Sequence, residues 1–382
     1  MKILIVRTSA IGVSSQLINT YNSQEIGLAK ALNKKGCTCD VVFFGGKKNS
    51  VSDIWFDEGK SFKVYYIGGI DILDYGFFIG LNALAERYDV IQSAEYNQIE
   101  TWRLARRFPG KVLVYHGPYH CDFNKGYYLR TKVADFLCLK TYIQNNTPFI
   151  TKSKLATEFL QSKGISRIYT MGVGLDLEQL HGAYTANNTV CEFISMIADL
   201  DTRKLLYIGK LEPRRNILFL LDIFSHIRDR EPDISLVIIG GGEVDYVKQC
   251  FDYAEKAGVC DSIFYVDKME QSQLKDVYCA CDVFLLPTIY DIFGMVLLEA
   301  MYFGIPVVTT RNGGSDILIT NGENGIVIDS FDCDEWVDAI WELLHNQSKR
   351  ELISTNANKT VREEFTWDVM AEKFIDIYAS LA

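Results

Sequence analysis

The chain has 382 residues, 48% of them hydrophobic and 23% charged, which excludes a disordered protein and leaves room for two domains with their own cores. Its formal net charge of −10 is unevenly spread: residues 1–176 hold 22 Lys and Arg against 15 Asp and Glu, a balance of +7, and the rest carry −17. So acidic a half argues against a nucleic-acid binder, whereas a basic half suits an anionic acceptor or membrane surface.

The opening Met1-Lys2-Ile3-Leu4-Ile5-Val6-Arg7 is too short and too quickly charged for a signal peptide and reads as a buried strand over Ile3–Val6. No run of about 18 apolar residues follows, so no membrane span is expected. Together these predict a cytoplasmic protein, at most peripheral on the inner face of a membrane. A helix is predicted over Gln24–Lys35, where Ile26, Ala29, Ala31 and Leu32 recur near a 3.6 period and Gly36 serves as C-cap. Further along come strands Val41–Phe44, Val112–Tyr115 and Ile168–Met171, and helices Ile99–Arg107 and Lys154–Lys163.

The boundary is placed within residues 177–202, where Gly182–Asp201 lacks a clear period. The second half is more regular. Its strands are Leu205–Ile208, Leu236–Ile239, Ile263–Val266, Val283–Leu286, Val307–Thr310 and Ile326–Ile328; its helices are Ile217–Arg228, Val244–Ala257, Gln271–Cys279, Met295–Phe303 and Glu335–Leu344. Trp367–Ala382 reads as one more amphipathic helix. Such alternation predicts βαβ units and parallel sheets. Two series predict an α/β protein of two doubly wound Rossmann-like domains facing across a cleft, with ligands at the carboxyl ends of the strands. The domains are 1–190 and 191–365, followed by a terminal helix, 366–382.

Four segments carry candidate chemistry. In "PTIYDIFGMVLLEA", Pro287–Ala300, a strand ends, a loop follows and a helix begins near Gly294. The amides of Phe293, Gly294, Met295 and Val296 form a helix N-terminus suited to an anion or hydroxyl. Asp291 stands at its mouth, and Glu299 lies on an otherwise apolar helix, where a carboxylate is costly unless it has a partner, of which ribose hydroxyls are one kind. Alternatively, Asp291 is an N-cap and Glu299 a satisfied core acid. In "YIGKLEPRRN", Tyr207–Asn216, a strand ends at Gly209, and Lys210, Arg214 and Arg215 crowd the next helix start. Cations there oppose the helix dipole and make sense as a diphosphate clamp; the bland reading is a solvated basic turn. In "NGGSD", Asn312–Asp316, paired glycines let backbone approach a ligand closely. In "VYHGPYH", Val114–His120, His116 sits at the carboxyl end of a strand, facing the cleft or serving the structure; Gly117-Pro118 prevents a helical metal pair with His120. The ten cysteines include no CxxC pair, so they read as reduced thiols and no metal site is expected.

In order and spacing, "IGKLEPRRN", "YDIFGMVLLEAMYFGIPVV" and "RNGGSDILITNGENGIVI" resemble the retaining family 4 glycosyltransferases (glycosyl transferases group 1) of the GT-B fold. The similarity is strong over residues 200–330 and weaker through "QEIGLAKALNKKG", "YHG", "TKSKLATEFLQSKGI", "MGVGLD" and the closing "REEFTWDVMAEKFIDIY". The resemblance implies that Lys210 and Arg215 bind the donor diphosphate, Asp291 holds donor-sugar hydroxyls and Glu299 binds ribose. It implies that Phe293–Val296 contact sugar or phosphate with their amides, and that His116 lies near the donor sugar. Gly209, and Gly12 in the first βα loop, join the donor-binding set. The terminal helix is implied to cross back to the N-terminal domain. This sequence departs in having Asp291 and Asp316 where Glu is usual, Lys210 where Arg is usual, and Gly12 alone where paired glycines are usual.

The implied reaction moves a hexose-type sugar from a nucleotide-diphosphate donor to a saccharide or lipid-linked acceptor, in surface-polysaccharide or glycolipid synthesis. No cofactor or metal is implied; a nucleotide sugar, most commonly a UDP-sugar, is co-substrate. A sugar-nucleotide 2-epimerase of the same architecture and a non-catalytic sugar-nucleotide-binding subunit are the alternatives. For the acceptor side, Trp102, Arg103, Arg106, Arg107 and Lys111 gather an aromatic and four cations within about three helical turns, as membrane-surface helices do; the bland reading is a solvated helix face.

Overall fold

In the computed structural model, residues 1–9, 23–72, 75–121, 123, 125–182 and 188–381 are described. Runs of aliphatic and β-branched residues supply the strands, which sort into two units of the chain: residues 1–176 with 365–382, and residues 177–364.

The first unit contains β1 (Lys2–Val6), β2 (Thr38–Phe44), β3 (Ser50–Asp57), β4 (Lys60–Ile67), β5 (Gly69–Ile72), β6 (Tyr75–Phe78), β7 (Val90–Ala94), β8 (Val112–His116), β9 (Phe149–Thr151) and β10 (Ile168–Thr170). Its sheet runs β10-β9-β8-β7-β1-β2-β4-β3, with β5 and β6 as a separate hairpin. Ile3 to Val6 of β1 are all buried, as in a strand covered on both faces. The sheet is not purely parallel as expected: β3 pairs antiparallel with β4. Only Glu58 and Gly59 connect them, and so short a link permits no parallel crossover.

The second unit contains β11 (Arg203–Ile208), β12 (Ile234–Ile239), β13 (Ile263–Val266), β14 (Val283–Leu286), β15 (Val307–Thr309) and β16 (Ile326–Val327). They form an all-parallel sheet, β13-β12-β11-β14-β15-β16. Strand order therefore reverses between β11 and β14 in this unit, and between β1 and β7 in the first. Such reversals are where doubly wound sheets leave a crevice for ligands.

The break falls at residue 176, ahead of the expected boundary at 190. The stretch that looked aperiodic contains the helix Asn188–Asp199, a short helix Leu177–Leu180 precedes it, and both belong to the second unit. The 18-residue helix Gln347–Glu364 also went unread, because it buries only the stripe Ile353, Ala357 and Val361 and is otherwise polar. No helix among the described residues is long and apolar enough to cross a membrane.

The terminal helix Trp367–Ala379 belongs to the first unit and starts at Thr366, whose Oγ1 accepts from the Val369 amide at 3.4 Å. Trp367 pairs backbone with Leu175, Tyr378 Oη donates to the buried Gln92 Oε1 at 2.6 Å, and the Trp367 indole fills the space beside Gly27 and Gly174. A Cβ at Gly27 would collide with that indole. Gly27→Val should therefore lower stability by about 2 kcal/mol through overpacking, read as the midpoint of urea denaturation. An unchanged midpoint would show that the helix is not seated on Gly27.

Candidate functional site

The reversal between β11 and β14 puts two loops side by side at the carboxyl edge of the second sheet. After β11 the chain runs through Gly209 and Lys210 into a 3-10 turn, Pro213–Arg215, and then the helix Ile217–Arg230. Asn216 joins turn to helix in a left-handed conformation, φ 57°. After β14 it runs through Pro287–Gly294 into the helix Met295–Phe303. The loops are stitched together. The Arg214 carbonyl accepts from the Ile289 amide at 2.8 Å and from Thr288 Oγ1 at 3.0 Å, while Arg214 Nη1 donates to the Tyr290 carbonyl at 3.1 Å. Arg215 Nη1 forms an ion pair with Asp291 Oδ2, and both side chains are nearly buried. Burial works against the Arg215 charge, but Asp291 above all, with Tyr207 and Glu212, outweighs it and holds the pKa above its ordinary value.

The residues expected to hold separate parts of a ligand are thus placed as follows. Arg215 and Asp291 are bound to each other. Lys210 is exposed and makes no ion pair among the described residues; its carbonyl accepts from Tyr207 Oη at 2.9 Å. Gly209 lies between them on the chain.

Gly294, in the left-handed region at φ 73°, begins the helix Met295–Phe303 without a side-chain cap. The Phe293 amide approaches Asp291 Oδ1 only at 3.5 Å, and the amides of the buried Gly294 and the half-buried Met295 and Val296 head the helix at the positive end of its dipole. A Cβ on Gly313 would collide with the Ile292 carbonyl, and one on Gly314 with the Phe293 carbonyl. The paired glycines thus allow the loop after β15 to press on the Asp291–Phe293 backbone. The buried Asn312 fixes that loop: its Oδ1 accepts from the Gly314 and Ser315 amides at 3.0 and 3.2 Å.

Glu299 is buried and fully partnered by protein. Gln271 Nε2 donates to Oε1 at 2.5 Å and Tyr278 Oη to Oε2 at 3.1 Å. Burial pushes its pKa up to about 7, against the lowering effect of those two hydrogen bonds. The core-acid alternative is therefore the arrangement present without a ligand, and Gln271 and Tyr278 are partners that no motif signalled.

In the first unit His116 is the last residue of β8, but its ring is wholly buried rather than open, stacked on Phe159 at 5.7 Å and edge-on to Tyr96 at 5.3 Å. Nδ1 lies 2.6 Å from Glu95 Oε2, off the line of a good hydrogen bond, and Nε2 has no hydrogen-bond partner among the described residues. Glu95 follows β7 at φ 57° and accepts from the Gly117 amide at 3.2 Å, with Lys152 Nζ at 3.7 Å. Burial raises its pKa, but His116, Lys152 and that amide prevail and hold it below the ordinary value. Glu95 escaped sequence reading because β7 carries Gln92 and Ser93 and does not look like a buried strand. Gly12 lies outside the described residues. The basic helix is engaged internally: Arg103 pairs with Glu100 at 2.9 Å, Arg107 with Glu86 at 3.2 Å, and Trp102 Nε1 donates to Thr141 Oγ1 at 2.9 Å.

Residues 195–360 match the family profile described as Glycosyl transferases group 1. A D-inositol 3-phosphate glycosyltransferase of Corynebacterium diphtheriae is 29% identical over 187 residues, 48% of this chain and 44% of that protein. An uncharacterized glycosyltransferase of Methanocaldococcus jannaschii is 31% identical over 179 residues, 47% of this chain and 45% of that one. The chain spans about half the length of the curated relatives it matches. Among solved structures, the sucrose-phosphate synthase of Thermosynechococcus elongatus superposes with TM-score 0.75 at 17% identity, covering 100% of this chain and 99% of that one. Anabaena HepE in complex with UDP-glucose superposes with TM-score 0.71 at 17% identity, covering 100% of both.

The raised Glu299 pKa has a testable sign. In the unfolded chain the carboxyl titrates near about 4.3. Its contribution to stability is therefore complete below that pH and is lost as pH rises through about 7. Wild type should lose stability relative to Glu299→Gln between about pH 5 and about pH 8, measured by urea denaturation at each pH. A constant difference would mean that Glu299 is charged throughout.

Proposed function

We infer, from a chain of GT-B fold whose residues 195–360 belong to the glycosyl transferases group 1, that the protein is a retaining hexosyltransferase using a nucleotide-diphosphate sugar. The observation that carries this reading is the convergence, at the strand reversal of the second sheet, of an unpaired lysine, a fixed arginine and an uncapped helix N-terminus. All three attract a diphosphate. UDP is the favoured nucleotide, in keeping with the UDP-glucose complex of Anabaena HepE.

In the reaction, the bond from the anomeric carbon to the diphosphate oxygen breaks, and its electron pair leaves with the diphosphate. Lys210, the remaining N–H groups of Arg215 and the amides of Gly294–Val296 stabilise the charge that develops there. The acceptor hydroxyl oxygen attacks from the same face, and its proton passes to the departing phosphate oxygen. Asp291 positions Arg215, and Glu299 takes ribose hydroxyls by exchanging them for Gln271 or Tyr278. Lys210 and Arg215 do the work a divalent cation does elsewhere, so no metal is needed. The acceptor is a saccharide or lipid-linked saccharide at the inner face of a membrane, served by the basic first unit.

Two measurements check this. Lys210→Ala and Arg215→Ala should each lower turnover of a UDP-sugar by about 10²-fold or more, as loss of a single oxyanion donor does; near-wild-type rates in both would remove the diphosphate assignment. Transfer should persist in excess EDTA, and a complete loss restored by Mg²⁺ or Mn²⁺ would refute the metal-free mechanism.

A further inference from the structure

Residues 125–144 of the first unit form one helical run: an α-helix, Lys125–Ala134, a π-turn, Asp135–Leu139, and a last turn, Lys140–Gln144. Its inward stripe is clear. Thr131, Ala134, Cys138 and Tyr142 are buried. Its outward side is apolar as well, which is unusual. Leu129 is 67% exposed, Val133 61% and Phe136 87%, with Leu137 and Ile143 about half exposed. Leu129, Val133 and Phe136 are spaced by four and three residues, so they share one face. A helix that is apolar on both faces has a partner other than water.

Charge says what that partner is. Arg130, Lys132 and Lys140 are all exposed along the same run. Asp135, the one acid within 126–144, is taken up by Lys163 Nζ at 2.5 Å and Tyr96 Oη at 3.1 Å. Lys132 Nζ lies 4.4 Å over the Tyr128 ring. The exposed face thus presents large apolar side chains flanked by cations and offers no free carboxylate to a basic partner. The helix Ile99–Arg107, which carries the basic cluster expected to meet a membrane, adjoins this run through the Trp102–Thr141 hydrogen bond.

We propose that the face formed by Leu129, Val133 and Phe136, with Arg130, Lys132 and Lys140, docks on an anionic lipid bilayer. This rests on the reading of a membrane-borne acceptor given above and names the surface that would meet it. Apolar side chains of this size sink into the boundary between headgroups and acyl chains, and the cations meet lipid phosphates. Each cation near an anionic surface changes partition roughly fivefold, so three together are worth about 10²-fold, enough for reversible binding.

Co-sedimentation of the full chain tests this, with vesicles of phosphatidylcholine alone and of phosphatidylcholine containing about one third phosphatidylglycerol at low salt. Wild type should bind the anionic vesicles and not the neutral ones. The triple variants L129S/V133S/F136S and R130Q/K132Q/K140Q should each lose at least tenfold in partition. All six side chains are exposed, so two chemically different variants guard against one misfolding. No binding by wild type, equal binding to both vesicle types, or wild-type binding by both variants would overturn the proposal. So would a wild-type dimer that becomes monomeric in L129S/V133S/F136S without any vesicle binding, because the face would then be covered by a second copy. The rise in melting temperature on adding UDP is read on the same proteins. Its absence counts against the nucleotide-sugar reading alone, and vesicle binding that fails while it persists counts against this face alone.

Discussion

The ion pair between Arg215 and Asp291 joins two loops that are distant in sequence and adjacent in the sheet. Removing two charges from water is costly, and such a pair persists only where geometry and further hydrogen bonds compensate. Here Glu212 stands near the guanidinium, and the Arg214 backbone and side chain bond Thr288, Ile289 and Tyr290 of the facing loop. Removing either partner would leave an uncompensated buried charge, so the loops hold their places together. An arginine so anchored has its planar fork of N–H donors fixed in direction. Neutralising Arg215 in part also leaves Lys210 as the exposed cation of the site, free to move on its flexible stem.

A third loop braces this pair. The one after β15 can lie against the Ile292 and Phe293 carbonyls only because Gly313 and Gly314 lack a Cβ. Its shape is set by Asn312, which is wholly buried. Beneath it, Glu299 stands on the helix Met295–Phe303 with a pKa close to neutrality. Burial disfavours the ionised form of that carboxyl, and the hydrogen bonds from Gln271 and Tyr278 offset part of the cost. The same helix therefore carries amides at its start and a buried carboxyl about one turn further in.

Much of this was legible in the chain. "YIGKLEPRRN" and "PTIYDIFGMVLLEA" each contain a whole strand end, loop and helix start, so local rules place Lys210, Arg215, Asp291 and Glu299 without any tertiary knowledge. Partners were not legible. The Arg215–Asp291 pair spans 76 residues and Glu299–Gln271 spans 28, and no periodicity encodes such distances. Elements with weak patterns were missed as well: β7 because Gln92 and Ser93 interrupt it, and Gln347–Glu364 because its apolar stripe is only three residues wide. The basic cluster of Ile99–Arg107 was legible as charge, but its counter-charges Glu86 and Glu100 were not, because no spacing rule pairs Arg107 with Glu86.

The first unit repeats the same construction with the opposite sign. Its strand order reverses between β1 and β7, and the residue that follows β7 is Glu95, a carboxylate held by the Gly117 amide, Lys152 and His116. Its left-handed backbone, φ 57°, costs about 1 kcal/mol or more for a residue with a side chain and persists only when its surroundings over-determine it. In the second unit Asn216, also at φ 57°, lies further along its loop, between the 3-10 turn Pro213–Arg215 and the helix Ile217–Arg230. In each unit, then, a left-handed residue bends the loop that follows a strand bordering the reversal, and a charged side chain in that loop is fixed by a counter-charge from another loop. Charges held in place in this way are what electrostatic preorganisation requires.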